Sequence, residues 1–287
     1  MVYDMEKSGK GGRLMQSRLG IGTPIAGVLA ILVFTGLQAS AMTWTPRLVH
    51  TAIQFANPDY NGKAFFKIDG DQVIALALSG TGVSDLSPLK DMALQALDLR
   101  GLQVRDLTPL RDLPLKELYL ENTEVTDLNP LKGMGLLTLY LNDTKVKDLM
   151  PLKGMPLVRL NLFGTRVNDL SPLRGMPLEY LWLNETPVSD IVPLSDCPLF
   201  SLTLHRTLVE DLTPLANTNL QRLHIGETPV TDLNPLKGLA LIRLIFTPDR
   251  ITKGIEVVRN MASIREIGST FESRTDPRRF WSIYDQK

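Results

Sequence analysis

The chain has 287 residues, 44% of them hydrophobic, and its 31 basic side chains are balanced by 31 acidic ones. This balance leaves no basic surface of the kind nucleic-acid binding needs, and a single cysteine, Cys197, excludes an internal disulfide framework. Length and apolar content are those of an ordinary folded chain.

Residues 1–41 read as an export signal. Lys7, Lys10, Arg13 and Arg18 precede an uncharged apolar run from Ile21 to Leu37, and Ala39-Ser40-Ala41 supplies a small-x-small cleavage pattern. The run is nearly long enough to span a bilayer, so membrane attachment through residues 21–37, with the remainder outside the cytoplasm, is the alternative to cleavage. The expected destination is therefore periplasmic, secreted, or anchored to the inner membrane facing outward. Removing this segment leaves 27 basic against 29 acidic residues.

Residues 42–72 are expected to form an amino-terminal cap. Leu48, Val49, Ala52, Ile53 and Phe55 predict a short amphipathic helix that ends at Asn57-Pro58. Ala64–Ile68, the turn Asp69-Gly70-Asp71 and Val73–Leu78 predict a β-hairpin covering the first repeat.

From residue 73 to 247 one 21-residue unit occurs eight times, and a ninth strand follows. Asp85, Asp106, Asp127, Asp148, Asp169, Asp190, Asp211 and Asp232 mark the copies; a Val precedes each by two positions and a Pro follows each by three. A fixed period headed by L-x-x-L-x-L marks a leucine-rich-repeat solenoid. The fold class expected is α/β: a right-handed solenoid with a parallel sheet on its concave face and short helical or 3₁₀ segments on the convex side.

The chemistry of one copy explains the coil. In the head, leucines alternate with polar residues, as in a strand with one buried face. The Thr four places before the Asp, replaced only by Leu102, is expected inside, bonding to the backbone at the corner. The Asp carboxylate is placed to cap the amide two residues on, while Pro fixes φ for a tight turn. Six residues past the Asp the column Asp91, Asp112, Gly133, Gly154, Gly175, Asp196, Asn217, Gly238 tolerates positive φ. Cys197 stands in a column of Met and Leu and reads as a small buried hydrophobe.

Residues 248–287 are expected to close the far end. Ile251–Asn260 predicts a helix and Ile264-x-x-Ile267 a degenerate strand. Asp276-Pro277 then opens a helix whose Phe280, Trp281 and Tyr284 lie over the last repeat.

Function is sought where strand alternation points side chains away from the core. Of seven aromatic residues between Val73 and Phe246, five (Tyr119, Tyr140, Phe163, Tyr180 and Trp182) fall in those outward columns, leaving Phe200 and Phe246 elsewhere. Strands about 4.8 Å apart would merge them into one aromatic band, and exposed bands of this kind mark binding surfaces. Glu117 and Glu121, with Asp98, gather at one end of the face; Arg222, Arg243, His205 and His224 gather at the other. These eleven residues, Asp98 aside, are the candidate partner-binding set. The competing reading is that the aromatic pairs only stabilise the sheet. The outer ladder Lys90, Arg111, Lys132, Lys153, Arg174 and Lys237 reads as solvated charge.

The eight copies of V-x-D-L-x-P-L, varied in the sixth by Ile191-Val192, resemble bacterial internalin-type leucine-rich repeats, with a unit one residue shorter. The flanks Asn57–Gly62 and Thr247–Met261 are similar to the caps of a bacterial subgroup found alone or appended to membrane-bound serine/threonine kinases. That resemblance implies a binding module. The kinase phosphate loop, catalytic loop and Asp-Phe-Gly segment are missing from this sequence.

The expectation is thus an exported, non-enzymatic recognition module that binds a protein or glycan. No catalytic residues, metal site, cofactor or nucleic-acid partner is expected. The alternatives are an inert envelope spacer, or a sensor whose catalytic partner is another chain.

Overall fold

The computed structural model describes residues 43–286; the expected export signal and apolar run lie outside them. Among the described residues no helix is long and apolar enough to cross a membrane.

Eleven strands form one sheet in chain order. They are β1 (Phe65–Asp69), β2 (Gln72–Ala77), β3 (Ala96–Asp98), β4 (Glu117–Tyr119), β5 (Thr138–Tyr140), β6 (Arg159–Asn161), β7 (Tyr180–Trp182), β8 (Ser201–Thr203), β9 (Arg222–Ile225), β10 (Arg243–Phe246) and β11 (Glu266–Gly268). β1 and β2 are the expected hairpin, antiparallel, with an irregularity between Lys67 and Ile68. From β2 to β10 the pairing is parallel and steps by one copy: Leu76 faces Leu97, and Leu202 faces Leu223. Beyond β10 the repeat drifts, yet Leu244 still finds Ile267 on β11.

Each copy is held by satisfied polar groups as well as by leucine. The row Leu97, Leu118, Leu139, Leu160, Leu181, Leu202 and Leu223 is buried, and each member lies against the next copy's equivalent. Thr81, Thr123, Thr144, Thr165, Thr186, Thr207 and Thr228 are buried. Each donates its hydroxyl to the carbonyl three residues earlier, at 2.5–2.8 Å. All eight Asp carboxylates accept the N–H two residues on, at 2.7–2.9 Å. A three-residue 3₁₀ turn follows each, such as Ser171–Leu173. Three residues is the length such turns favour, and Pro at their second position needs no donor.

The turn after each 3₁₀ segment comes in two forms. With a basic residue first, as at Lys90 (φ −56°, ψ 140°), the next residue, Asp91, takes positive φ. Asp112, Gly133, Gly154, Gly175 and Gly238 do likewise. Ser195 (φ −58°, ψ −29°) and Ala216 (φ −57°, ψ −28°) instead stay right-handed, and Asp196 and Asn217 after them are not among the positive-φ residues. A second left-handed column stands five residues before every Asp: Gly80, Gly101, Asn122, Asp143, Gly164, Glu185, Arg206 and Glu227. The last three are costly residues for that conformation. Arg206 links them, bonding Glu227 at 2.9 Å and Glu185 at 3.1 Å.

At the amino-terminal end, α1 (Pro46–Ala56) buries Val49, His50 and Ile53. Phe55, expected on that face, is 85% exposed. The helix is tied to the first copy by Asn57. Its side-chain oxygen accepts from Ser84 and Asp85, and its amide donates to the Asp85 carbonyl. Tyr60 and His50 share a 2.6 Å hydrogen bond beneath it.

The other end departs further from expectation. The helix predicted over 251–260 is shorter, α2 (Ile255–Arg259), because Lys253 bridges Asp232 as if continuing the repeat. Gly254 follows at φ +76°, where a Cβ would stand 2.4 Å from Asn234 N, so this backbone approach requires glycine. α3 (Pro277–Tyr284) starts as predicted, with Asp276 accepting from Arg279 N. Its Phe280 ring reaches Phe246 at 5.8 Å, and Trp281 is buried against the core.

Candidate functional site

Strand alternation carries the candidate residues to the sheet face turned away from the leucines. In β5, β6 and β7 the central leucine is buried, while Tyr140, Arg159, Tyr180 and Trp182 retain exposure. The cross-strand line through that face reads Asp98, Tyr119, Tyr140, Asn161, Trp182, Thr203, His224.

The rings lean toward one another instead of standing free. Tyr119 and Tyr140 meet edge to face at 5.3 Å. Tyr140 then meets Trp182 at 5.8 Å although β6 lies between them. Strands two apart are separated by about 9.6 Å, so these rings close over Asn161, which is only 3% exposed. Trp182 stacks with Tyr180 at 6.1 Å, and Tyr180 meets Phe200 at 5.5 Å. Guanidinium groups extend the series, Arg159 over Tyr180 and Arg222 over Phe200.

Two placements differ from the sequence reading. Phe200, assigned outside the band, belongs to it: it stands at the entrance of β8, where strict inside-outside alternation has not begun. Phe163, assigned to the band, is half-buried like the other rings but joins none of the ring contacts found among the described residues.

Charge along the face is flatter than composition implies. Arg100 grips Asp98 with two hydrogen bonds, of 2.9 and 2.6 Å, while lying over the Tyr119 ring. Arg243 is paired with Glu266, whose carboxylate Arg274 also approaches. Glu117 stays exposed and accepts the Tyr119 hydroxyl at 2.8 Å. Burial, with that carboxylate adding to it, pushes the Tyr119 hydroxyl pKa up. Glu121 is only 7% exposed, and desolvation lifts its pKa to about 7.

At the other end His205 and His224 stack at 4.9 Å. The His205 ring is anchored to the Gly226 carbonyl. Burial, helped by His205, lowers the His224 pKa to about 4, so that ring is neutral at physiological pH. Among the described residues no group of three or more His, Cys, Asp or Glu could hold a metal ion.

Five buried polar side-chain atoms of this face have no hydrogen-bond partner in the protein: Glu121 Oε2, Asn142 Oδ1, Thr203 Oγ1, Arg222 Nε and His224 Nε2. Glu121 and Asn142 lie in the adjacent copies that begin with β4 and β5. Thr203 and His224 face one another across β8 and β9. The open atoms thus flank the aromatic series on both sides. Sequence reasoning picked out Glu121, Arg222 and His224 but missed Asn142 and Thr203, whose ordinary polarity gave no signal.

Solved structures of the same shape decide the fold. An internalin, inlF, from Listeria monocytogenes is similar over 80% of this chain and 78% of its own, with 24% identity and a TM-score of 0.60. Internalin C2 from the same organism is similar over 69% of this chain and 92% of its own, with 25% identity and a TM-score of 0.56. The fold is the internalin-type leucine-rich-repeat solenoid. Neither a protein-family model nor a curated protein matches the chain. In this internalin-type solenoid the convex ladder Lys90, Arg111, Lys132, Lys153, Arg174 and Lys237 is exposed. Each of these residues opens the turn that leads to the next strand.

Proposed function

We propose that this protein is a non-enzymatic recognition module that binds a protein partner across the aromatic sheet face, outside the cytoplasm. The observation that carries this reading is the set of unpartnered polar atoms on that face. A buried polar atom without a hydrogen bond is destabilising, and a partner offering donors near Glu121 and Asn142 and acceptors near Arg222 would remove the penalty. Partly exposed Tyr and Trp beside desolvated polar groups have the composition of binding hot spots. An inert spacer would gain nothing from such a face. The protein-binding reading is favoured over glycan because the span from β4 to β9, about 24 Å, carries opposite hydrogen-bonding character at its two ends.

The test compares Trp182→Ala and Tyr140→Ala with the parent in partner capture and in thermal melting. A hot-spot loss of about 2 kcal/mol weakens binding roughly 30-fold, while melting shifts by only a few degrees. Retained capture with a large fall in melting temperature would instead make the rings a sheet-stabilising device.

A further inference from the structure

Glu121 stands apart from every other carboxylate of the repeat array. The Asp ladder is solvent-facing and each member accepts a backbone N–H, Asp98 is held by Arg100, and Glu124 is held by Lys145. Glu121 is more than nine-tenths buried and its Oε2 touches no donor. Beside it, in the next copy, the Asn142 side-chain oxygen is likewise buried and unpartnered. Two neighbouring acceptors without a donor define a site by what it lacks.

The surroundings specify the donor. Tyr119 and Glu121 share one side of their strand, as do Tyr140 and Asn142 in the next. The four therefore form a patch about 5 Å across the strands and about 7 Å along them. Its walls are two rings, edge to face at 5.3 Å, whose faces attract cations. Arg100 over Tyr119 shows such a contact made within the molecule. That guanidinium is hydrogen-bonded to Asp98 and offsets Glu121 only through space, so Glu121 Oε2 and Asn142 Oδ1 still lack a donor.

We propose that this patch receives a cationic side chain, lysine or arginine, of the protein partner. The charged nitrogen is held between Glu121 Oε2 and Asn142 Oδ1, against the Tyr140 ring. This rests on the binding role proposed above for the whole face and adds the chemical identity of one contact. A buried carboxylate gains a counter-charge, which favours its ionised form. Near neutral pH, cation entry is therefore coupled to loss of the proton that Glu121 carries with its pKa at about 7.

The probes are N-acetyl-lysine methylamide and N-acetyl-arginine methylamide, with N-acetyl-norleucine methylamide as the uncharged control. They are titrated into the full chain while the Glu121 carboxyl carbon and the Tyr119 and Tyr140 ring signals are followed by NMR. Both cations should bind saturably and move the Glu121 titration to lower pH, and norleucine should do neither. Glu121→Gln keeps the shape and should weaken cation binding by roughly tenfold, the value of one charge-assisted hydrogen bond. Asn142→Ala should weaken it less. Equal responses to norleucine and the cations, or unchanged cation binding by Glu121→Gln, would overturn the proposal. Either result would leave the role of the whole face to the Trp182→Ala capture comparison, which does not depend on this contact.

Discussion

The inside of each copy and its outer sheet face are built from alternate residues of the same short strands, yet they treat polar atoms in opposite ways. Inside, seven threonine hydroxyls reach backbone carbonyls, and at the corner eight aspartates cap backbone amides. On the face, five buried polar atoms have no partner in the protein. Repetition closes a polar group when the neighbouring copy or the local turn supplies its partner every time. The face does not repeat, so no neighbouring copy or local turn supplies these atoms with a partner. The stabilising interior and the face proposed to bind a partner are thereby separated along each strand by a single residue step.

The separation predicts effects of graded size. Leu160→Ala removes a fully buried side chain stacked between two equivalents and should cost about 3–5 kcal/mol by denaturant unfolding. A loss under about 1 kcal/mol would mean the interior is not the stabilising element. The face should show the reverse sign. Glu121→Gln should stabilise the protein by about 2 kcal/mol at pH 8, because a raised carboxyl pKa reports a penalty on the charged form. With the pKa raised from 4.5 to about 7, the wild-type contribution is fully present below pH 4.5. It is lost as pH rises through about 7, so the advantage of the variant should vanish in acid.

His224 reverses that dependence. Its pKa is lowered from 6.5 to about 4, so its contribution is present above pH 6.5 and lost as pH falls through about 4. His224→Asn should therefore flatten the acid limb of the stability profile that Glu121→Gln leaves intact. Parallel profiles for the two variants would contradict the opposite environments assigned to the two ends of the face.

Smaller effects test the corners. Thr165→Val strips the donor from the buried Leu162 carbonyl contact and should cost about 1–2 kcal/mol. Gly101→Ala meets no neighbouring atom but must hold φ near +70°, which should cost about 1 kcal/mol.

How much of this was legible follows from where a residue's role is fixed by spacing. Thr165, Asp169 and Pro172 were readable because the same residue types recur at the same offsets, and the coil leaves each offset only one environment. Asp276-Pro277 was readable as a local cap. Glu185, Arg206 and Glu227 hid their left-handed column, since their own chemistry argues against it; Gly80, Gly101 and Gly164 in the same column were the signal. Phe200 was misplaced by applying strand alternation before the strand begins. Polar Gln95, Lys116, Glu179 and Gln221 at the same offset showed that this column is not interior. The closure of Tyr140 and Trp182 over Asn161 was out of reach, because alternation gives the side of a sheet but not the lean of a ring. Glu121 was picked for its charge, whereas its burial, which gives the site its character, arises from the neighbours.

The most direct test of the face as the binding surface is site-specific photocrosslinking in cells that produce the protein. A photoreactive phenylalanine is placed singly at Trp182, at Tyr140, and at Arg174 on the convex ladder. A common adduct from positions 182 and 140, absent from 174, is the predicted result. Adducts only from 174, with 182 and 140 silent in a folded protein, would contradict the account.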